Sequence, residues 1–450
     1  MFARLSPLFT TACAALLLAA LPAAAQVSLD ASFDGDGRRT VSFDLDSAAT
    51  DGARRIFPTA GGYLVVGQAS NSPGLALALT KLNLSGQLDT SFGTNGKRSY
   101  AVNTPEVIDA VQDSQGRVVF AGNTAVSGGS DVLLGRLLPN GEVDPSFGFL
   151  GLARIDLNGE DSVLALAVGP QDQVIALVRA RPDASFGWAT HVTAMDANAQ
   201  NQGSVFLSAS PLLETGAAVW STARDALLVG LPFTGPQSCL LAVYSVSLGA
   251  GPGGLSLDAD PLGSSALAGT TNGCTQVGVS AIAALPGNGG ALLAANRVNP
   301  NGAPGDARQV GLLLRIGSSG AVDFLRTEFA PFPTDDLRFR AVAVDAEGRL
   351  LVAADITNSS GPNSRFGLFR YLADGTPDTG FNTGSAHIGT SFNAGNGLDS
   401  PLASVRDLRN AGPRILLAGS SRWTGNTDDD FAIAAFTTPD APLFANGFEP

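Results

Sequence analysis

Residues 107–148 read VIDAVQDSQGRVVFAGNTAVSGGSDVLLGRLLPNGEVDPSFG. An apolar run, Val107–Val111, meets a polar turn at Asp113-Ser114-Gln115-Gly116, and a second run follows at Val118–Gly122. A variable loop leads to a third run, Val132–Leu138. A Gly-containing turn then leads to Val143-Asp144-Pro145-Ser146-Phe147-Gly148. Runs of four or five apolar residues bounded by Gly, Asp, Asn and Pro read as buried strands, because helices need about ten residues or more. Four short elements in about 55 residues form one antiparallel unit.

That unit recurs along the chain. Its second run returns at Leu64, Val118, Val174, Ala226, Ala291, Leu350 and Ile415, with spacings of 54, 56, 52, 65, 59 and 65. Its third run returns at Leu75–Leu82, His191–Met195, Leu240–Val246, Val310–Ile316, Phe366–Leu372 and Phe431–Phe436. The fourth element is sharpest at Leu88–Gly93 and Val143–Gly148, weaker at Pro377–Phe381 and Val322–Phe324, and also opens the chain at Leu29–Phe33. A further Asp183-Ala184-Ser185-Phe186-Gly187 lies out of phase, before a third strand.

Seven repeats of four strands predict an all-β, seven-bladed β-propeller. The last unit lacks a fourth element, and the N-terminal copy precedes any first strand. The N-terminal strand is therefore expected to complete the final blade. Units three to five are degenerate, which leaves six or eight blades as alternatives.

A basic residue stands eight positions before the motif carboxylate in four units: Lys81 and Asp89, Arg136 and Asp144, Arg315 and Asp323, Arg370 and Asp378. Gly86, Gly141, Gly320 or Gly375 turns the chain between them. The spacing predicts ion pairs that bridge the third and fourth strands, a structural device worth ~0–1 kcal/mol if exposed.

These patterns resemble the bacterial delta-60 repeat, closely over 29–145 and 339–436 and faintly over 180–310. The resemblance implies a propeller-like fold in an exported protein and supplies no catalytic residues. The segment Leu443–Glu449 also resembles a short tail shared by assorted exported proteins.

Residues 1–25 read as a secretory signal peptide, with Arg4, an apolar stretch near Thr11–Leu21 and small residues at Ala23 and Ala25. The predicted organisation is a signal peptide over 1–25, a propeller over 27–438 and a tail over 439–450. Export to the periplasm or beyond follows, with no membrane insertion. Removing Cys13 leaves Cys239 and Cys274, an expected disulfide in an oxidising compartment.

With 27 basic against 40 acidic residues, the chain carries −13. No Lys/Arg cluster offsets that field, which disfavours nucleic acid. The 24 Phe against 4 Tyr and 3 Trp fit core packing better than a sugar-stacking groove.

Asp34-Gly35-Asp36-Gly37 resembles part of a calcium loop, and Asp34 and Asp36 are weak calcium candidates. Turn chemistry accounts for the same residues. The acidic runs Asp335-Asp336 and Asp428–Asp430 read as solvated turns. No other cofactor is expected.

Of the two histidines, His191 falls on a strand and His387 in a Gly/Ser-rich loop, and neither sits in a Ser-His-Asp pattern. Gly249–Gly254 reads as a loop between strands rather than a phosphate cradle. The expectation is an exported, monomeric, non-catalytic binding or scaffold protein. Its partner would be a cell-surface glycan or protein, held by loops on one face. The alternative is a propeller-type hydrolase or metal-dependent enzyme using carboxylates near the central channel.

Overall fold

The computed structural model describes residues 26–46, 50–72, 74–101, 106–183, 185–209, 215–234, 239–251, 254–267, 277–299, 308–331, 333–358, 363–392, 402–422 and 428–437. The expected signal peptide, the C-terminal tail and Cys274 lie outside them. Among the described residues there is no helix, and none therefore long and apolar enough to cross a membrane.

Two short strands, β1 (Ser28–Leu29) and β2 (Arg38–Val41), open the described chain. Antiparallel meanders follow. The first contains β3 (Gly52–Thr59), β4 (Gly62–Asn71), β5 (Gly74–Asn83) and β6 (Lys97–Ala101). Next come β7 (Val107–Gln112), β8 (Val118–Val126), β9 (Gly129–Leu137) and β10 (Leu152–Ile155), then β11 (Glu160–Val168), β12 (Val174–Arg181), β13 (Ala189–Met195) and β14 (Gln202–Ala209). The chain continues through β15 (Ala217–Ser221), β16 (Ala226–Thr234), β17 (Cys239–Gly251) and β18 (Gly254–Leu267). After these are β19 (Gly278–Ala284), β20 (Ala291–Val298), β21 (Gln309–Ile316) and β22 (Val322–Glu328). The last elements are β23 (Asp335–Val344), β24 (Leu350–Asn358), β25 (Ser364–Tyr371) and β26 (His387–Thr390), then β27 (Leu402–Ala411), β28 (Arg414–Arg422) and β29 (Asp429–Thr437).

By backbone pairing these make six sheets, none closed on itself. The eight-stranded one is two four-strand meanders joined by a single parallel pairing, Glu160 with Ser130. β1 and β2 both pair with β29, so the two ends of the described chain share a sheet. First strands pack on first strands in the order β3, β7, β11, β15, β19, β23, β27 and back to β3. Apolar clusters fill the space between neighbouring meanders. One joins Ile56, Val65 and Ala78 to Leu416, Phe431 and Ile433.

Several sequence expectations are corrected here. The Asp-x-Ser-Phe-Gly residues form a turn before the fourth strand, not the strand itself. The Asp89 carboxylate accepts from Ser91 N–H at 3.2 Å and Phe92 N–H donates to Asp89 O at 3.0 Å, folding the segment too tightly for a ladder. Its Phe is driven inward: Phe33, Phe147 and Phe381 are buried. Asp335 and Asp336 lie in β23, and Asp429 and Asp430 in β29, not in solvated turns. Asp335 is buried and paired with Arg365 at 3.2 Å, which satisfies its charge. His387 opens β26 rather than sitting in a loop, because its main chain pairs with Phe369. The glycine run is mostly strand, with β17 reaching Gly251 and β18 starting at Gly254.

Candidate functional site

The first strands share a β-bulge at one level. The register with the second strand slips between Ala53 and Arg55, Val107 and Asp109, Val163 and Ala165, Val279 and Ala281, Phe339 and Ala341, and Val405 and Asp407. β15 pairs without a slip. A bulge leaves one residue outside the ladder and re-aims its side chain. The extra residues are Arg54, Ile108, Leu164, Ser280, Arg340 and Arg406, and all line one cavity of about 740 Å³ between the first strands.

Five of the six bulges are held by a polar side chain of the preceding meander, in β19 by Thr215, whose Oγ1 accepts Val279 N–H at 3.0 Å. Val107 N–H donates to Gln68 Oε1 at 3.1 Å and Val163 N–H to Asn123 Oδ1 at 3.0 Å. Phe339 N–H donates to Asn296 Oδ1 at 2.6 Å and Val405 N–H to Asp355 Oδ1 at 2.7 Å. An amide displaced from a ladder needs such a partner, since a buried unpaired N–H costs ~1–3 kcal/mol. The sequence carried a signal for these residues that the strand pattern alone does not expose. Gln68, Asn123, Asn296 and Asp355 each directly follow a small residue at the end of the second run: Gly67, Gly122, Ala295 and Ala354.

The cavity wall is two-sided. The neighbouring strands β23, β27 and β3 contribute Arg340, Arg406 and Arg54, while β7 and β11 present Ile108 and Leu164. In all, six arginines against three carboxylates line the cavity of a chain whose net charge is −13. Arg54 pairs with Glu106, and Arg340 Nε lies 2.7 Å from Asp355. Arg406 is exposed to the cavity and makes no hydrogen bond or ion pair among the described residues. The surrounding protein, with Arg54 and Arg340 adding repulsion, pushes its pKa down to about 10 against the partial relief of Asp355 and Glu106.

One residue further along, Arg55 ties three meanders together. It lies 2.7 Å from Asp109 and 3.3 Å from Asp407. Asp109 also accepts from Leu166 N–H at 2.8 Å, and Asp407 from Ile56 N–H at 3.0 Å. Burial opposes the Arg55 charge, but the two carboxylates outweigh it and hold its pKa above the ordinary value. Both carboxylates are therefore committed to structure.

The residues singled out by the sequence lie away from this cavity. Lys81–Asp89 measures 3.2 Å, Arg136–Asp144 2.8 Å, Arg315–Asp323 3.0 Å and Arg370–Asp378 2.7 Å. Arg136 is buried, so that pair is no surface feature. At the N-terminal copy, Asp30 N–H bonds to Ala435 O, which puts Ala435 where the other copies have a base; Arg414 reaches Asp30 instead.

Asp34 and Asp36 are taken up by Arg39 at 3.0 Å and Arg38 at 2.7 Å. Cys239 is buried and disulfide-bonded. His191 packs edge-on to Phe206 and His387 stacks on Phe369; burial lowers both pKa values. Neither lines the cavity. Half-buried Asp430 is pushed up to about 6 by burial and by neighbouring carboxylates.

Three stretches, 61–92, 114–147 and 346–381, match a family described as "Domain of unknown function (DUF5122) beta-propeller". No curated protein matches the sequence. Among solved structures the chain is similar to polysaccharide lyase Uly1, at 9% identity over 86% of this chain and 90% of that one, TM-score 0.48. It is similar to Drosophila Semaphorin 2a at 8% identity, over 87% and 75%, TM-score 0.47. The β-propeller domain of the Trilobed protease from Pyrococcus furiosus gives 9% identity over 88% and 99%, TM-score 0.42. The chain has a β-propeller repeat fold.

Proposed function

We propose that this chain is an exported, non-catalytic binding protein whose central cavity takes an anionic ligand, with an acidic saccharide of the cell surface as the favoured class. The reading takes the fold as seven blades in a closed ring, 27–438. Support for the ring comes from the cyclic packing of first strands and from β1 and β2 adding to β29. Recognition would rest on charge rather than on stacking, in keeping with the scarcity of Trp and Tyr.

The observation that carries the reading is Arg406. It is a guanidinium crowded by two others, held at a bulge and open to the cavity without a partner. A carboxylate or sulfate ester placed there relieves the repulsion and accepts charge-assisted hydrogen bonds from a planar donor fork. The apolar arc of Ile108 and Leu164 would face the uncharged side of the ligand. A carboxylate-based hydrolase is the weaker reading, because Arg55 and backbone amides already hold Asp109 and Asp407.

Calorimetric titration with uronate-bearing, sulfated and neutral oligosaccharides tests this. Anionic chains should bind in a salt-sensitive way and neutral ones should not. Arg406→Gln should weaken binding about ten- to a hundredfold, the value of a charged hydrogen bond. It should also raise the unfolding temperature of the free protein by removing the repulsion. Equal binding of neutral and charged chains, or unchanged affinity in Arg406→Gln, would sink the proposal.

A further inference from the structure

The seam where the two ends of the described chain meet repeats, in altered form, an arrangement found between β9, β10 and β11. In both places a parallel bridge joins a third strand to the start of the next first strand, Thr50 with Asp429 and Glu160 with Ser130. In both, the next residues are aspartates: Asp51 and Asp430 at the seam, Asp161 and Asp131 at the other junction. Asp51 Oδ2 accepts Phe43 N–H at 2.5 Å, and Asp161 Oδ2 accepts Leu157 N–H at 2.6 Å. The connecting loop adds a third carboxylate in each case, Asp44 or Asp156, and one oxygen from each member of a trio lies within 4.8 Å of the others.

The two junctions differ in what neutralises them. At the second, Arg154 Nη1 lies 2.7 Å from Asp131 and Nη2 3.0 Å from Asp156. The strand register puts Thr40 at the seam where Arg154 stands, since Arg154 faces Leu133 and Thr40 faces Ala432. Among the described residues no cation pairs with Asp44, Asp51 or Asp430. Lys97 is nearby, but its ammonium bonds to Ser42 O. Asp44 accepts from Ser42 Oγ. Asp51 is 2% exposed and its Oδ1 has no hydrogen-bond partner; Asp161 Oδ1 is likewise unpartnered, so what separates the junctions is Arg154 and not this oxygen.

We infer that Asp44, Asp51 and Asp430 form a site for a hard divalent cation of the calcium type, and that Arg154 fills the same position at the sister junction. Three carboxylates with neither imidazole nor thiolate suit calcium or magnesium rather than zinc or copper. Oxygens 2.3–2.6 Å from a common calcium ion stand at most ~5 Å apart, which the trio satisfies. The buried free oxygen of Asp51 gives the ion an inner ligand that hydrogen bonding has not claimed. A bound ion would tie the N-terminal segment, through Asp44, to β29 and to the approach to β3. It would brace the seam at a point distinct from the arginine-lined cavity.

The test is calorimetric titration of EDTA-treated, dialysed protein with calcium chloride. One ion should bind per chain and raise the unfolding temperature. Asp44→Asn should weaken binding at least about tenfold through loss of ligand charge; the residue is exposed and Asn tolerates its φ of 46°. Thr40→Arg should abolish binding by importing the internal counter-ion. Asp161→Asn should leave the stoichiometry at one, and Arg154→Thr should raise it to two. No binding by the parent protein, or binding unchanged in both Asp44→Asn and Thr40→Arg with native circular dichroism, would overturn the site. A stoichiometry still at one in Arg154→Thr would overturn Arg154's role.

Discussion

The meanders β3–β6 and β7–β10 close their outer edges differently from β11–β14 and β15–β18. In the first pair the chain leaves the third strand at Asn83 or Leu137 and reaches the fourth only at Lys97 or Leu152. The intervening turn carries Phe92 or Phe147, and the fourth strand is short, 5 or 4 residues. In the second pair the connection is tight, from Met195 to Gln202 and from Gly251 to Gly254, and the fourth strands run to 8 and 14 residues. There β14 and β18 pack on one another. A Phe plug with an ion pair and a long backbone ladder are two ways to cover the same edge. The inner half changes much less: the bulge recurs in β3, β7 and β11, although β15 lacks it. Variation is tolerated outside, and the wall of the cavity keeps its frame.

The plug works through contact with the neighbouring meander. Gly141 has φ +81°, and a Cβ there would lie 2.5 Å from the Phe92 ring. Phe33 covers Gly86 in the same manner. These glycines are required twice, for the left-handed backbone and for the space the ring occupies.

Breaking the plug side of the comparison should show the largest effect at Arg136. Its guanidinium bonds Asp144, Ser146 Oγ and Asn198 Oδ1, and lies over the Phe147 ring at 4.9 Å. Arg136→Met should cost about 3–5 kcal/mol, because the buried Asp144 carboxylate loses its partner. Arg315→Met should cost ~0–1 kcal/mol, since Asp323 is 42% exposed. Urea titrations of the two variants check the contrast; equal losses would refute it.

A second contrast isolates packing from turn chemistry. The out-of-phase motif folds the same local turn, Ser185 N–H donating to Asp183 Oδ1 at 2.7 Å, yet Phe186 is 61% exposed. Phe147→Ala should lose about 3–5 kcal/mol by thermal or urea unfolding, and Phe186→Ala no more than about 0.5 kcal/mol.

The smallest effect is in the pH dependence. Burial works against the Asp30 and Asp144 charges, but hydrogen bonds from Ser32 and Ser146 and the guanidiniums of Arg414 and Arg136 outweigh it. Both carboxyls are held below the usual 3.8. A depressed carboxyl contributes stability above its unfolded pKa, and that stability is lost as pH falls through the lower folded value. Unfolding temperatures scanned downward should therefore drop below about pH 4. Asp144→Asn should start lower at pH 6 and fall less steeply between pH 4 and pH 2.

Strand cores were legible because burial on both sides writes itself as short apolar runs. Leu64–Gly67 and Val118–Gly122 lie within β4 and β8, and the expected third strands overlap β5 and β9. The role of Asp-x-Ser-Phe-Gly was misread because a turn with one buried ring looks, in one dimension, like a short strand. The cavity was not legible at all. Arg54, Arg340 and Arg406 are scattered over some 350 positions and meet only because three bulges fall at one level, and a bulge leaves no local mark in the residue pattern. The latch residues Gln68, Asn123, Asn296 and Asp355 were within reach, as a polar residue repeated at one place in the unit.

The shared sheet at the seam also governs the order of events in folding. Ser28 bonds Thr437 across a separation of 409 positions, and Arg414 bonds Asp30 across 384. Meanders such as β3–β6 can zip locally, but β1 and β2 find their partner only in β29, about 390 positions further along. Loop-closure entropy opposes that docking more than it opposes pairing within a meander. The seam is therefore the pairing with the largest loop-closure cost among the described residues. A circularly permuted chain that opens between β22 and β23 would move that cost to a different junction.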